Sequence, residues 1–174
     1  MTAAAQPFGG SRYILPPGPG DDTPITLVLT TRAEAGAFGD ELTAMDPWSR
    51  LGAEPQNMAN FLAVSSQEKR CFSIHYGNER AGAVVVRFPW LTGPYLNLLA
   101  VLARYRRKGL GRAALAWIES EARDARARNC WLCVSAFNLA AIAFYERCGY
   151  RRAALLDDLI KDGEDELLMR KRIV

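Results

Sequence analysis

Long apolar runs, dense charge of one sign and paired metal ligands are all missing from this chain. No apolar run reaches the roughly 18–20 residues that a membrane-spanning helix needs. The N-terminus lacks the basic start and apolar core of a secretory signal, so the cytoplasm is the expected compartment. The formal net charge is only +3 over 174 residues, which does not describe a nucleic-acid footprint over a whole surface. His75 is the only histidine and there are four cysteines. Cys130 and Cys133 form one C-x-x-C, but a zinc ribbon needs a second ligand pair, which His75 cannot supply. A redox C-x-x-C sits at a helix N-terminus, whereas NCWLCVS reads as a strand whose positions three apart point to opposite faces. Buried structural cysteines are therefore expected, and no metal. Two nucleotide loops are absent as well: neither G-x-x-x-x-G-K-[ST] nor G-x-G-x-x-G occurs.

What the chain does have is YLNLLAVLARYRRKGLGR, from Tyr95 to Arg112. The first seven residues read as a buried strand. Five basic residues lie between Arg104 and Arg112, in a turn that also holds Gly109 and Gly111. From Leu110 the apolar positions Leu110, Ala114, Trp117, Ile118 and Ala125 recur at helical spacing. A helix N-terminus presents unpaired N–H groups and partial positive charge, and glycine lets a ligand approach the backbone. The combination predicts a cradle for a small polyanion. A solvated charge run capping a helix is the plainer alternative.

Around that stretch the chain orders itself as one domain over 25–174, preceded by a Pro/Gly-rich arm over 1–24. ITLVL at 25–29 predicts a strand. Thr31 and Glu34 form a capping box for a helix to about Met45, broken at Asp46-Pro47-Trp48. Pro55 suits the first position of a second helix, with Met58, Phe61, Leu62 and Val64 on its buried side. Strands over 71–76 and 80–88 flank the turn Gly77-Asn78-Glu79 as a hairpin. The helix from Leu110 is expected to reach about Arg128, followed by a strand over 130–135. Asn138 N-caps a helix over 139–148 and Gly149 ends it. Two last strands near 150–156 and 166–172 are joined by the acidic loop DDLIKDGED. This order predicts an α/β (α+β) fold in which an antiparallel run meets a β-helix-β unit. Its ligand cleft lies beyond the central strand's carboxyl end.

These residues resemble the GNAT superfamily of acetyl-CoA-dependent N-acyltransferases over roughly 25–172. The family's [QR]-x-x-G-x-[GA] is met by Arg106-Arg107-Lys108-Gly109-Leu110-Gly111. A second signature follows as Asn138-x-x-Ala141-x-x-x-Tyr145, then Gly149-Tyr150. The resemblance implies a mixed, mostly antiparallel sheet flanked by helices, splayed to admit acetyl-CoA. It implies that the backbone of Leu99, Ala100 and Val101 pairs with the pantetheine arm. Arg106, Arg107, Lys108, Gly109, Leu110, Gly111 and Arg112 would form the pyrophosphate turn. Asn138 would contact the pantetheine or steady the splay, and Tyr145 would protonate the departing thiolate. A phenol is a competent acid for that step, and N–H groups near Val101 could polarise the thioester carbonyl. The amine attacks directly, with no enzyme nucleophile. A packing aromatic and a plain N-cap are the alternatives for Tyr145 and Asn138.

The chain also resembles ribosomal-protein N-terminal acetyltransferases through Pro47-Trp48-Ser49, but it departs from them at the base. They carry a Glu five residues before the signature Asn, where this chain has Cys133. The central strand offers Tyr95 and Asn97 instead of a carboxylate. A water chain, a carboxylate from another element, or His75 would have to take the amine's proton. Segments 48–52, 88–94 and 156–166 are expected to rim the cleft. Asp46, Glu54, Asp157 and Asp158 are candidates for attracting a cationic amine, and Trp48 and Trp90 for walling it. The function implied is acetyl transfer from acetyl-CoA to a small-molecule or peptide amine. A non-catalytic acyl-CoA-binding module is the alternative. Neither a nucleic-acid nor a membrane partner is expected, and exposed strand edges leave room for a homodimer.

Overall fold

A computed structural model describes residues 6–173. The first five residues of the expected arm lie outside the described residues. One eight-stranded sheet runs through the molecule in the order β1-β2-β3-β4-β5-β6-β8-β7. Its strands are β1 (Arg12–Leu15), β2 (Ile25–Leu29), β3 (Lys69–Tyr76), β4 (Glu79–Trp90), β5 (Gly93–Val101), β6 (Asn129–Ser135), β7 (Arg151–Lys161) and β8 (Glu164–Arg172). Among the described residues only β5 and β6 pair in parallel. The sheet is therefore mixed and mostly antiparallel, as expected.

Among the described residues five α-helices flank it: α1 (Arg32–Thr43), α2 (Trp48–Leu51), α3 (Pro55–Ala63), α4 (Leu110–Asp124) and α5 (Leu139–Arg147). Neighbouring residues on β3 show which face each layer takes. The Cys71 thiol lies 3.4 Å from the Val64 carbonyl at the end of α3, while the Phe72 ring meets Trp117 of α4 edge-on at 5.3 Å. Adjacent strand residues point to opposite faces, so α3 and α4 cover opposite sides of the sheet. On the α4 side, Trp117 also meets Phe8 at 5.2 Å and Tyr13 at 5.0 Å. Each such aromatic pair adds about 0.5–1.5 kcal/mol beyond the area it buries.

The capping box at Thr31 forms as expected: Glu34 N–H donates to Thr31 Oγ1, and Thr31 N–H donates back to Glu34. Other expectations are corrected. α1 ends at Thr43 and α4 at Asp124, both short of the expected limits. The break after Met45 holds its own helical turn, α2. Val64 is 60% exposed, because it follows the last residue of α3 in extended conformation and leaves the helical face. The acidic segment is mainly strand: β7 continues to Lys161, and a tight turn at Asp162-Gly163 starts β8. Asp157, Asp158 and Asp162 are exposed there, where strand and loop look alike in composition.

The Pro/Gly-rich arm contributes to the core. Residues 12–15 pair with β2, and Phe8 and Leu15 are buried. The Phe8 N–H donates to Glu121 of α4 at 2.5 Å. Further along, Gly18 packs on the backbone of Lys108 and Gly109, and Asp21 accepts from Tyr76.

Candidate active site

The site begins where β5 and β6 part. They pair only at Tyr95↔Trp131 and Leu96↔Leu132. On the other edge of β5, the register with β4 slips between Val85 and Val86, leaving Asn97 as an extra residue. A bulge of this kind bends and twists its strand. Beyond it, the backbone of β5 has no strand partner on the β6 side among the described residues, and unpaired main-chain groups are ready to bond a ligand.

That gap opens into a cleft of about 950 Å³. Leu99, Ala100 and Val101 line it from β5, Arg106, Arg107, Gly109, Leu110, Gly111 and Arg112 from the turn, and Asn138 and Tyr145 from α5. Eleven of the twelve sequence-predicted site residues are thus brought to one cavity. Lys108 is the exception: its ammonium sits over the Tyr76 ring at 4.7 Å and donates to the Tyr76 hydroxyl at 3.4 Å.

The turn has the properties of an anion cradle. Gly109 precedes α4 with φ +86 and no side chain caps the helix. The first helical bond is donated by Ala113 to the Gly109 carbonyl at 2.9 Å. The N–H groups of Leu110, Gly111 and Arg112 precede it and stay open to the cleft. A Cβ on Gly109 would stand 2.8 Å from Gly18 Cα, so both the backbone angle and the arm require glycine there. Arg107 also takes a positive φ, +66.

On the opposite wall, Asn138 Oδ1 accepts from Ala141 N–H at 3.2 Å and caps α5. Its amide nitrogen has no acceptor among the described residues. Tyr145 is 8% exposed, with its ring against Phe144 and Tyr150. Burial, and then the neighbouring Cys148, push its phenol well above the ordinary range. The hydroxyl therefore keeps its proton at neutral pH.

The other candidates divide. Asp46 and Trp48 line the cleft, and Trp48 also lines a neighbouring cavity of about 370 Å³ with Glu54, Asn57 and Asn97. Trp90 instead meets Tyr95 with tilted rings at 4.7 Å and Trp131 edge-on at 5.7 Å. Asp157 and Asp158 lie exposed on the outer strand β7. His75 pairs with Glu34 at 3.1 Å, away from the cleft. The two C-x-x-C sulfurs diverge as strand geometry requires: all four cysteines are free. Burial raises the Cys130 thiol to about 12, whereas Cys133 faces Tyr95.

A residue not singled out from sequence is Glu166. It lies opposite Ser135 in the β6–β8 register, is 7% exposed, and accepts from Ser135 Oγ at 2.6 Å. Burial raises its carboxyl above the usual range, partly offset by the serine hydrogen bond. Only the pairing of β6 with β8 reveals it, since EDELLMRKR contains several carboxylates and no local cue to which is buried.

A splayed mixed sheet, a glycine turn opening a helix and a buried tyrosine across the gap define an acyl-coenzyme A-dependent acyltransferase. Comparison with known proteins agrees. The family model described as acetyltransferase (GNAT) family matches residues 37–150, and the chain belongs to that family. Acetyl transfer from acetyl-CoA to an amine is its reaction. The chain is similar to the ribosomal protein bS18 alanine N-acetyltransferase of Escherichia coli, with 42% identity over 123 residues, 69% of this chain and 82% of that protein. It is 38% identical over 74 residues to an N-alpha-acetyltransferase of Saccharolobus solfataricus, covering 42% of this chain and 44% of that one. The crystal structure of the Escherichia coli alanine N-acetyltransferase superposes with a TM-score of 0.66 at 25% identity, over 86% of this chain and 94% of that one.

Proposed function

We propose that this chain transfers the acetyl group of acetyl-CoA to the α-amine of a peptide or protein. The observation that carries the reading is a convergence. The open amides of Leu110, Gly111 and Arg112, the unpaired backbone of Leu99 to Val101, and Tyr145 all face one cleft. The relatives named above act on α-amines, which favours that acceptor.

In this reading the α4 N-terminus holds the pyrophosphate by main-chain donors and helix dipole. The cationic side chains of Arg106, Arg107 and Arg112 add charge around it. The edge of β5 accepts the pantetheine as a short extra strand, with N–H groups near Val101 polarising the thioester carbonyl. The amine attacks that carbon and the C–S bond breaks. Tyr145 gives its proton to the departing thiolate, which becomes the free thiol. The phenolate then takes a proton from the new amide nitrogen, which restores the tyrosine. The arm braces the turn from outside through Gly18 and belongs to the catalytic unit in this reading.

A second copy of the chain is our reading for the solvated outer strand. Leu155, Leu159 and Ile160 of β7 are all more than half exposed, and β7 is the sheet's edge. Light scattering checks this directly.

The test of function is release of coenzyme A thiol from acetyl-CoA with a panel of peptides differing in their first residue. Amine-dependent release is expected. Tight coenzyme binding by calorimetry with no release across peptides and small amines would replace this reading with a non-catalytic acyl-CoA-binding module.

A further inference from the structure

An α-ammonium must lose a proton before it can attack, and the steps above leave that proton unassigned. Two carboxylates are buried among the described residues, Glu119 and Glu166. Glu119 is tied to Lys171 at 2.8 Å and to Arg123 at 3.7 Å on the α4 side of the sheet. Among the described residues Glu166 has no cationic partner, and its one hydrogen bond comes from Ser135. A carboxylate buried without a cation carries a desolvation cost that structure alone does not explain.

The sheet register places Glu166 on the acceptor's side. Tyr95 is paired with Arg87, and Arg87 with Lys69. Lys69 shares the face of Cys71, which packs against α3. Trp131, level with Tyr95 on β6, carries the same face, and so do Cys133 and Ser135 at alternate positions. Glu166, opposite Ser135, therefore faces the α1–α3 side, away from α4. Burial is the main reason that Tyr95 and Cys133 are both shifted upward, and the Glu166 carboxylate is a smaller contributor to each; in the register Cys133 directly follows the last β5–β6 pair and Ser135, opposite Glu166, is two residues further on. Above it, Arg50 of α2 grips Glu164 of β8 at 2.9 and 3.2 Å and lies 3.9 Å over the Phe137 ring.

We propose that Glu166 receives the proton of the acceptor α-ammonium and so generates the attacking amine. The assignment rests on the acetyl-transfer reading above. The proton passes from R–NH3+ to the free oxygen of the Glu166 carboxylate. The neutral amine attacks, and the protonated Glu166 returns its proton to solvent once the acetylated product leaves. Thiolate and amide are served by Tyr145, so each group moves one proton per turnover. Ser135 is a positioning residue: its hydroxyl holds one carboxylate oxygen and leaves the other free to take the proton. Among the described residues Glu166 bonds Ser135 of β6, acts electrostatically on Cys133 of β6 and Tyr95 of β5, and shares its face of β8 with Glu164, which is paired with Arg50 of α2. Leu156, its neighbour on β7, is apolar.

The experiment compares wild type, E166Q, S135A and the double variant C133E/E166Q in peptide-dependent thiol release across pH. E166Q is expected to lower kcat by about 10²-fold, to leave coenzyme A affinity unchanged, and to lose the acid limb of the profile. S135A is expected to move that limb to higher pH, since it withdraws the hydrogen bond that favours the carboxylate. C133E/E166Q is expected to recover part of the lost rate, because it puts a carboxylate on the same face. An active wild type matched by E166Q in kcat and pH profile overturns the assignment while leaving acetyl transfer intact. A wild type inert toward every amine removes both. If E166Q does not fold, an unmoved limb in S135A overturns the assignment by itself.

Discussion

Gly111 faces the ring of Phe144 so closely that a Cβ there would stand 3.2 Å from Cζ. The start of α4 and the body of α5 therefore meet at a point with no spare room. Phe144 precedes Tyr145, so the turn and the acid of the proposed mechanism are mechanically joined.

Gly111→Val is accordingly expected to disturb both ends of the site. Overpacking of this kind costs about 1–3 kcal/mol. The Phe144 ring must move, carrying α5 away from α4. Calorimetry with coenzyme A should show weakened binding, and kcat should fall beyond what the affinity change explains. Gly111→Ala should show the same pattern, reduced, because the ring needs to give by only a few tenths of an ångström.

Tyr145→Phe keeps the ring contacts with Phe144 and Tyr150 and deletes only the hydroxyl. Turnover is expected to fall by about 10²-fold, with the dissociation constant of coenzyme A within twofold of wild type. Steady-state rates and calorimetry on one preparation check this. Equal losses in both would remove the acid role.

Glu166 also makes a prediction about folding. Its carboxyl is raised in the native state by burial. A group raised on folding favours the native state at pH values below its unfolded pKa. That contribution is lost as pH rises through the folded value. Glu166→Gln abolishes the titration and can still accept from Ser135. The variant should therefore gain melting temperature relative to wild type at pH 7 and lose that gain near pH 4. Scanning calorimetry at the two pH values reads the sign directly.

Arg50→Ala removes the fork that ties α2 to β8. The pair is half in solvent on the arginine side, so its deletion should cost stability under about 1 kcal/mol. The expected signature is kinetic: a higher KM for the peptide, with coenzyme A affinity unchanged. Raising salt should mimic part of the effect in the wild type.

Much of the architecture was legible because local rules and global fold agree. The Thr31–Glu34 box, Pro55 at the start of α3 and Gly149 with φ +89 after α5 are short-range signals that packing did not override. The glycine turn of the proposed anion cradle was legible for the same reason, as its glycines, arginines and helix start are contiguous. Lys108 departs from the pattern because Tyr76, far away in sequence, offers its ring and hydroxyl. Glu166 could not be found locally: its burial depends on Ser135, 31 residues earlier. β1 escaped for a related reason. RYIL is short and sits among prolines and glycines, and only the exposed edge of β2 makes it a strand.

The placement of Gly18 on the Lys108–Gly109 backbone makes the segment around it a rear wall of the proposed coenzyme pocket. Anchored by Phe8 beneath and by the Asp21–Tyr76 contact beyond, the stretch from Pro16 to Gly20 is stretched across the back of the loop. Occupancy of the pocket and protection of this stretch from proteases should consequently rise together. A truncation made to tidy the molecule would loosen the very loop it was meant to leave alone.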